Sequence, residues 1–176
     1  MEIVFETERT YLRKFTIYDT ELLFKLNNNP NVIKYVGEPV PVLEKMIDVL
    51  NNIILPQYSL YNHGRWAVHL KSNHQFMGWC GLKFIKERNE IDLGYRYFED
   101  FWGKGHATEC AKATLKYGFE VLKMNRIMAQ AHVENIASQN VILKCGLEYY
   151  GDNFDHNCYV KQYDITKEKY FSNLTQ

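Results

Sequence analysis

Three consecutive segments in the middle of the chain change from helical spacing to an alternating pattern that is rich in aromatic and β-branched residues. They cover residues 65–70, 75–85 and 90–98, and such segments favour β-strands. Residues 72–74 and 86–89 form the turns between them, and turns this short join antiparallel neighbours. The sequence therefore predicts an antiparallel meander at the centre of the fold.

A loop with two glycines and a strong helical pattern follow the last of these strands. Gly103 and Gly105 precede a segment in which one face carries small and apolar residues while the other face is charged. The small and apolar face consists of Ala107, Cys110, Ala111, Thr114, Leu115 and Gly118. Because residues 127–133 are typical of a further strand, the centre of the chain is predicted to be one strand–loop–helix–strand unit.

Further helices and strands are predicted on both sides of this unit. Thr16 and Asp19 have the spacing of a capping box ahead of a helix. A second helix is expected over residues 41–53 and a third over residues 135–145, with Gly146 just past its end. The remaining predicted strands cover residues 10–15, 147–151 and 159–166, and they close the chain.

Length and composition fit one globular α+β domain over residues 1–176 and exclude several other classes. The chain has 21 Lys and Arg against 21 Asp and Glu, a balance that argues against a non-specific nucleic-acid binder. No basic and apolar leader opens the chain and no apolar run is long enough for a membrane span, so we expect a soluble cytoplasmic protein. Its six histidines show no paired spacing, so no metal site is predicted. The cysteines lack C-x-x-C spacing and are expected to be free thiols, at Cys80, Cys110, Cys145 and Cys158.

The glycine loop has the physical properties of a pyrophosphate site. Glycines let backbone N–H groups crowd toward an anion, and a helix N-terminus adds roughly half a positive charge. A Walker loop is excluded because Lys104 precedes Gly105, and a dinucleotide fingerprint is excluded because Thr108 stands where a third small residue is needed. The residues alone leave open a second interpretation, in which the glycines only form a tight turn.

Taken together, the motifs of the chain resemble the GNAT superfamily of acyl-CoA N-acyltransferases, and within it the RimJ/RimL-type (ribosomal-protein-alanine N-acetyltransferase-like) branch. The similarity covers nearly the whole chain and depends on the order and spacing of short motifs. They are Thr7-Glu-Arg9, Leu12-Arg13, Thr16-x-x-Asp19, Asn29-Pro-Asn-Val32, Met77-Gly78, Asp92-Leu-Gly-Tyr95, the loop from Trp102 to Glu109, and Asn135-x-x-Ser138-x-x-Val141-x-x-Lys144-x-Gly146. The resemblance implies an acetyl-CoA-dependent N-acetyltransferase with a mixed, mostly antiparallel sheet, flanking helices and a splayed strand pair that binds the cofactor.

The same resemblance implies which residues bind the cofactor. In relatives, the backbone of the strand before the loop binds the acetyl and pantetheine arm, and Tyr95 and Tyr97 match those positions. Asn135 matches a residue that contacts the pantetheine arm, and Asn140 and Lys144 match positions that approach the cofactor. The pyrophosphate site is matched by Trp102, Gly103, Lys104, Gly105, His106, Ala107 and Thr108. Relatives usually carry Gln or Arg where Trp102 stands, so a side-chain donor is expected to be lost there.

A carboxylate is needed to take a proton from the acceptor amine. A free alkyl amine has a pKa of about 10 and arrives protonated at neutral pH. Asp92, on the strand that leads into the cofactor site, is the first candidate for this base, although the residue could instead form a cross-strand salt bridge. Glu90, which alternation places on the same face, and Glu134 are further candidates.

A proton donor is needed for the departing thiolate. Many relatives use a Tyr at the position of Ile142, and in some RimL-type relatives a serine is the proposed acid. Ser138 matches that serine, although its hydroxyl could instead bond to its own helix. Three tyrosines are further candidates for the acid, namely Tyr149, Tyr150 and Tyr163.

The expected reaction is direct attack of a primary amine on acetyl-CoA in a ternary complex. The acceptor class stays open between a protein N-terminus, a polyamine, an aminoglycoside and another small amine, and residues 32–61 and 151–159 are expected to select it. The alternative function is a catalytically weak acyl-CoA-binding or sensing module. We expect no nucleic-acid or membrane partner, and either a monomer or a homodimer.

Two further features bear on the acceptor. Residues 87–100 hold five acids against two bases, whereas residues 101–126 hold five bases against two acids. This division suits a cationic acceptor beside an anionic cofactor. An aromatic wall for a cation is also conceivable, although core packing is the stronger expectation for its members Tyr58, Tyr61, Trp66 and Trp79.

Overall fold

A computed structural model describes residues 2–37 and 39–175, and Met1, Glu38 and Gln176 lie outside that description. Its eight strands form one sheet in the order β1-β2-β3-β4-β5-β6-β8-β7. All neighbours are antiparallel except β5 and β6, which confirms the mixed, mostly antiparallel sheet. The strands are β1 Ile3–Glu6, β2 Thr10–Lys14, β3 Arg65–Leu70, β4 Phe76–Ile85, β5 Glu90–Tyr97, β6 Arg126–His132, β7 Glu148–Asp155 and β8 Cys158–Thr166.

Helices cover both faces of this sheet. They are α1 Thr20–Asn27, α2 Pro30–Ile33, α3 Leu43–Val49, α4 Leu55–Tyr61, α5 His106–Lys116, α6 Ile136–Lys144 and α7 Lys167–Asn173. Alternate residues of β3 divide between two cores, since Trp66 and Val68 pack with residues of α5 while Ala67 packs with residues of α1 and α3. None of the helices in the described part of the chain is long and apolar enough to cross a lipid bilayer.

Most of the predicted elements are confirmed, and so are two of the predicted caps. Thr16 and Asp19 form the expected capping box: the Thr16 side chain accepts from the backbone of the turn Ile17–Asp19, and the Asp19 side chain accepts the Thr16 N–H. Asn135 and Cys145 are the end caps of α6, and Gly146 follows with the left-handed φ of +87° that favours glycine at this position.

The helix predicted over residues 41–53 is wrong at both ends. It begins as α3 at Leu43, and a wider π turn, Leu50–Ile54, continues it into α4 as far as Tyr61. Pro56 lies in the first turn of α4, where its missing N–H costs little. The π turn joins α3 to α4, so the chain passes this proline without ending the helix.

The C-terminal part of the chain also departs from the prediction. The strand predicted over residues 147–151 extends to Asp155, because His156 and Asn157 take left-handed backbone conformations that allow a two-residue hairpin turn. Strands were expected to close the chain, but α7 follows β8. Thr166 caps this helix through a bond from Lys169 N–H, and the Tyr170 ring stacks on Phe119 with centroids 4.8 Å apart.

A cleft separates the two parallel strands at the centre of the sheet. β5 and β6 pair at one position only, Asp92 opposite Met128, whereas β4 and β5 pair over the whole length of β5. Beyond that position the two strands diverge toward their C-terminal ends, which confirms the predicted splayed pair. The glycine loop leaves β5 at the open end of this cleft.

Candidate functional site

The glycine loop and the first turn of α5 form a site with unused backbone donors. Gly105 is the N-cap of α5, and the first intrahelical bond runs from the Glu109 N–H to the Gly105 carbonyl at 3.0 Å. The three preceding N–H groups, of His106, Ala107 and Thr108, therefore have no intrahelical acceptor. This arrangement offers an anion both hydrogen-bond donors and the positive end of the helix dipole.

Both glycines of the loop adopt backbone conformations that other residues disfavour. Gly103 has a φ of +69° and Gly105 a φ of +82°. A Cβ atom added at Gly103 would meet no atom within 4 Å, so the space beside the loop is open. A Cβ atom added at Gly105 would lie 3.4 Å from Nη2 of Arg9.

His106 is a buried polar group at the start of α5. Its side chain is buried against the ring of Phe101, and its Nδ1 atom has no hydrogen-bond partner among the described residues. Burial, reinforced by the charges of Arg9 and Lys104, lowers the pKa of His106, so the ring is neutral at neutral pH. An unsatisfied buried nitrogen beside open helix N–H groups fits an anionic ligand at this loop.

The end of β5 presents backbone groups to the cleft. Phe98 N–H donates to Met77 on β4, so the two-residue alternation turns the backbone groups of Tyr97 and Tyr95 toward β6. The Tyr97 side chain lies in the core, and burial raises its pKa well above the ordinary value. Only the backbone of Tyr97 therefore faces the cleft.

The side-chain donor of Trp102 is used within the protein, so the loss of a donor for the cofactor at this position stays a prediction. Its indole Nε1–H donates to the Tyr97 carbonyl oxygen at 2.8 Å, while its backbone N–H closes the turn Glu99–Phe101. The indole therefore fixes the path of the chain from β5 into the loop, and it occupies a carbonyl that would otherwise face the cleft.

Tyr95 and Ser138 meet across the cleft. The Tyr95 hydroxyl donates to the Ser138 carbonyl at 2.9 Å, and it lies 3.0 Å from Ser138 Oγ. Because the phenol has only one proton, this arrangement leaves Ser138 Oγ–H to donate to Tyr95 Oη. Burial raises the pKa of Tyr95 well above its ordinary value, so the phenol stays protonated. The structure thus brings these two predicted residues into one hydrogen-bonded pair.

The remaining predicted residues of α6 lie apart from this pair. The Asn135 side chain accepts the Ser138 N–H at 3.1 Å, which leaves its amide N–H groups for other contacts. Asn140 and Lys144 are exposed, one turn apart. Near the end of the helix, the Cys145 sulfur lies 3.9 Å from the Thr108 carbonyl, so α6 ends beside the first turn of α5.

Gln139 is a structural residue of the site that sequence analysis missed. It is buried, and its amide Nε2 donates to the carbonyls of His132 and Val133 at 3.1 and 2.9 Å. Its Oε1 accepts the Tyr163 hydroxyl at 3.3 Å. The amide therefore holds the end of β6 against α6, and a polar residue at a core-facing helix position was the only sequence signal for it.

Asp92 forms a salt bridge across the sheet, which sequence analysis left open beside a role as base. Its carboxylate is buried and paired with Arg65 of β3, which lies two strands away in the sheet. Arg65 also donates to the carbonyl oxygens of Asp92 and Gly81, and its guanidinium covers Gly94 and lies over Trp79. Acceptance of a proton by Asp92 would therefore weaken an ion pair inside the sheet, and its role as base stays a prediction.

The other carboxylates and phenols proposed for proton transfer lie in varied surroundings. Glu90 pairs with Arg88 and Arg126 at 3.3 and 3.4 Å, and Glu134 is exposed. Tyr163 is engaged with Gln139, as described above. The two other phenols are exposed on the edge strand β7, at Tyr149 and Tyr150. None of these five groups forms a hydrogen bond between two hydroxyls like the one between Tyr95 and Ser138.

The aromatic wall is not formed. Trp66 is fully buried under α5, where it packs against Phe5 and Tyr117. Trp79 lies on the opposite face of the sheet, because its side chain joins the core of α1 and α3. Tyr58 is occupied by bonds to the backbone of residues 15 and 65. Core packing accounts for Trp66, whereas Trp79 also lies under the Arg65 guanidinium and Tyr61 packs against Phe84.

The remaining sequence predictions concern the cysteines and metal binding. All four cysteines are free thiols there, as predicted. Within residues 2–37 and 39–175, no group of three or more His, Cys, Asp or Glu side chains is placed to hold a metal ion.

Comparison with known proteins identifies the family of this fold and site. The acetyltransferase (GNAT) domain family matches residues 9–148. The chain is also similar to the uncharacterized N-acetyltransferase p20 of Bacillus licheniformis, at 32% identity over 137 residues and 75% of each chain. The protein therefore belongs to the GNAT acetyltransferase family, and it is an N-acetyltransferase.

Solved structures share the same architecture. A GNAT-family acetyltransferase from Bacillus anthracis is similar with a TM-score of 0.79 and 28% identity, over 96% of this chain and 99% of that one. The spermidine N-acetyltransferase of Vibrio cholerae, in complex with CoA and spermine, is similar with a TM-score of 0.77 and 20% identity, over 92% and 98% of the two chains. This second likeness concerns the fold alone.

Proposed function

We propose that the protein transfers the acetyl group of acetyl-CoA to a primary amine by direct attack in a ternary complex. One observation carries the proposal: the open N-terminal turn of α5 lies at the open end of the cleft between β5 and β6. An anionic carrier held by the loop residues 102–108 can extend its arm into that cleft. Membership of the GNAT family and the CoA complex of the Vibrio cholerae enzyme support this cofactor.

The chain's own groups have distinct tasks in this reaction. Acetyl-CoA supplies a thioester carbonyl for attack by the neutral amine, and coenzyme A leaves as the thiol. The N–H groups of His106, Ala107 and Thr108 bind the pyrophosphate, and Lys104 adds a positive charge. Backbone N–H groups at the end of β5, near Tyr95, stabilise negative charge on the carbonyl oxygen. The chain thus contributes mainly binding, alignment and electrostatic stabilisation.

We propose Ser138 as the group that donates to the departing sulfur, with Tyr95 behind it. Ser138 Oγ lies 3.0 Å from Tyr95 Oη, and since the phenol donates to the Ser138 carbonyl, the serine hydroxyl is left to donate to Oη. Rotation of this one hydroxyl redirects its proton toward the cleft. The neighbouring Tyr95 phenol stays protonated, so it can donate a hydrogen bond to Ser138 Oγ while the serine regains its proton from solvent water. The two hydroxyls form a short hydrogen-bonded chain on the side of the cleft next to α6.

The acceptor is proposed to be a primary amine: a protein N-terminus, a polyamine, an aminoglycoside or another small amine. The Vibrio cholerae enzyme named above acts on spermidine, which supports the polyamine class. Placement in the RimJ/RimL-type branch would instead favour a protein N-terminus, and membership of that branch stays a prediction. The single domain over residues 1–176 also stays a prediction. Asp92 is proposed to accept the amine proton through water, because its side chain is buried and Arg65 occupies one of its carboxylate oxygens, Oδ2.

The arrangement around Asp92 also favours the second candidate function, a catalytically weak acyl-CoA-binding module. An arginine-paired carboxylate and the absence of a Tyr at Ile142 both reduce the groups available for proton transfer. Such a module would use the loop and the cleft in the same way but would release little thiol.

Thiol release separates the two functions. The protein is incubated with acetyl-CoA and a panel of primary amines, and free thiol is measured over time. We expect amine-dependent thiol release together with thermal stabilisation by the cofactor. Stabilisation without turnover on any amine would favour the binding module, and no stabilisation at all would contradict both functions.

The Ser138→Ala variant tests the proposed role of Ser138. We expect kcat to fall by about ten- to a hundredfold while the affinity for CoA changes less than threefold, because the lost hydroxyl acts on the departing sulfur. Steady-state kinetics and calorimetric binding of CoA measure the two effects.

The Tyr95→Phe variant is the matched control for this prediction. It removes the phenol but keeps the Ser138 hydroxyl, so we expect a smaller loss of kcat than in Ser138→Ala. A weakened CoA affinity with an unchanged kcat in Ser138→Ala would show that the serine is a binding residue and not an acid.

A further inference from the structure

We infer that Arg9 is a positioning residue for cofactor binding: it neutralises Glu109 and fixes the Lys104 carbonyl, and so keeps the N-terminus of α5 open to an anion. This inference depends on the proposed function of the loop. Arg9 lies between β1 and β2, about a hundred residues before the loop that it contacts.

Four contacts join Arg9 to the loop and to α5. Its Nε donates to Glu109 Oε2 at 2.6 Å, and its Nη2 lies 2.6 Å from the same oxygen. Its backbone N–H donates to Glu109 Oε1 at 3.0 Å, so both carboxylate oxygens are engaged. Its Nη1 donates to the Lys104 carbonyl at 2.9 Å. Arg9 thus contacts both the loop just before α5 and the first turn of α5.

The bond to Lys104 sets the direction of a backbone donor. The carbonyl of Lys104 and the N–H of Gly105 belong to the same planar, trans peptide, so they point in opposite directions. When Arg9 holds the carbonyl on its own side, the Gly105 N–H turns away from Arg9. The open space beside Gly103 lies next to this peptide, and it is where we place the pyrophosphate.

The pair with Glu109 removes an electrostatic obstacle. A carboxylate in the first turn of a helix interacts well with the helix dipole, but it repels an anionic ligand at the same end. Partial burial raises the pKa of Glu109, but hydrogen bonds from the Thr7 side chain and from Arg9 outweigh it and lower the pKa, so this carboxylate is charged at neutral pH. Arg9 therefore neutralises the carboxylate that would otherwise repel a bound pyrophosphate.

Variants of the pair test the inference through cofactor affinity. In Arg9→Gln we expect the Kd for CoA and the KM for acetyl-CoA to rise about tenfold, with kcat at saturating acetyl-CoA changed less than twofold. The double variant Arg9→Gln/Glu109→Gln should regain about half of the lost affinity on a logarithmic scale, because it also removes the unpaired carboxylate. Arg9→Lys, which keeps the charge but not the fork, should fall between Arg9→Gln and the wild type.

Arg126→Gln is the matched control. Arg126 has the same side-chain exposure as Arg9, 42%, and it pairs with Asp164 and Glu90 near the N-terminal ends of β5 and β6, away from the glycine loop. We expect its Kd for CoA to equal that of the wild type. Wild-type Kd in Arg9→Gln, or a double variant no tighter than Arg9→Gln, would overturn the inference. Failure of the wild-type protein to bind CoA would instead refute the proposed function.

Discussion

Replacement of Gly105 by Glu is expected to abolish binding of CoA. A side chain at this position must adopt a φ of +82°, which costs roughly 1–2 kcal/mol in residues other than glycine. The new Cβ would lie 3.4 Å from Arg9 Nη2, so the added carboxylate would compete with Glu109 for Arg9 and place negative charge beside the loop. Calorimetric titration with CoA should detect no heat of binding at concentrations that saturate the wild type.

Gly151→Glu is the matched control for this variant. It makes the same chemical change on β7, where φ is not left-handed and an added Cβ meets no atom within 4 Å. We expect it to bind CoA with wild-type affinity. Wild-type affinity in Gly105→Glu would show that the loop does not hold the cofactor, and it would remove the basis for the proposed reaction.

The elements that could be predicted from the sequence are those whose signals are local. The meander from β3 to β5 follows from alternating residues and short turns, and the capping box at Thr16 depends on residues only three positions apart. The loop around Gly105 is equally local, since its glycines adopt the left-handed conformations that only glycine favours.

Elements stabilised by tertiary packing were missed or misplaced. The short helix α7 has little local signal, and it is held by the stacking of Tyr170 on Phe119 and a bond from the Tyr170 hydroxyl to Glu120 at 3.1 Å. The continuation of α3 into α4 also depends on packing, because Leu50 and Ile54 of the π turn are buried in the core beside α1. Tertiary packing therefore extends the helical segment beyond residue 53, where the sequence pattern had predicted its end.

In the candidate site, too, local features could be predicted from the sequence, whereas contacts between distant residues could not. The positions of the loop residues and of Ser138 follow from motif spacing, and the structure places Ser138 against Tyr95. The partners of Asp92 and Glu109 could not be predicted, since Arg65 comes from two strands away and Arg9 from about a hundred residues earlier. Both arginines change the electrostatics of the carboxylates that they contact.

Replacement of Asp19 by Asn is expected to lower the free energy of unfolding by about 3–5 kcal/mol, the usual loss when a buried ion pair loses one partner. Asp19 and Arg13 are both buried, and the two guanidinium nitrogens of Arg13 donate to the two carboxylate oxygens at 2.8 and 2.7 Å. Urea denaturation at pH 7 measures the change. Asp152→Asn, which removes an exposed partner of Lys161, should change stability by less than about 1 kcal/mol.

Acidification should reduce the difference between the wild type and Asp19→Asn. Burial opposes ionisation of Asp19, but hydrogen bonds from Arg13 and Thr16 outweigh it, so its folded-state pKa lies below the ordinary value. The pair therefore stabilises the protein fully above the unfolded-state pKa of about 3.9, and the contribution is lost as the pH falls through the folded-state pKa. The buried His69 has a lowered pKa as well, mainly through burial, and the charge of Asp19 partly counteracts this lowering. Protonation of His69 below about pH 6.5 is therefore more destabilising in Asp19→Asn, so the difference is expected to shrink only as the pH falls toward the folded-state pKa of Asp19. A difference in unfolding free energy that stayed constant from pH 7 to about pH 3 would show that the ionised Asp19 carboxylate is not what stabilises this part of the fold.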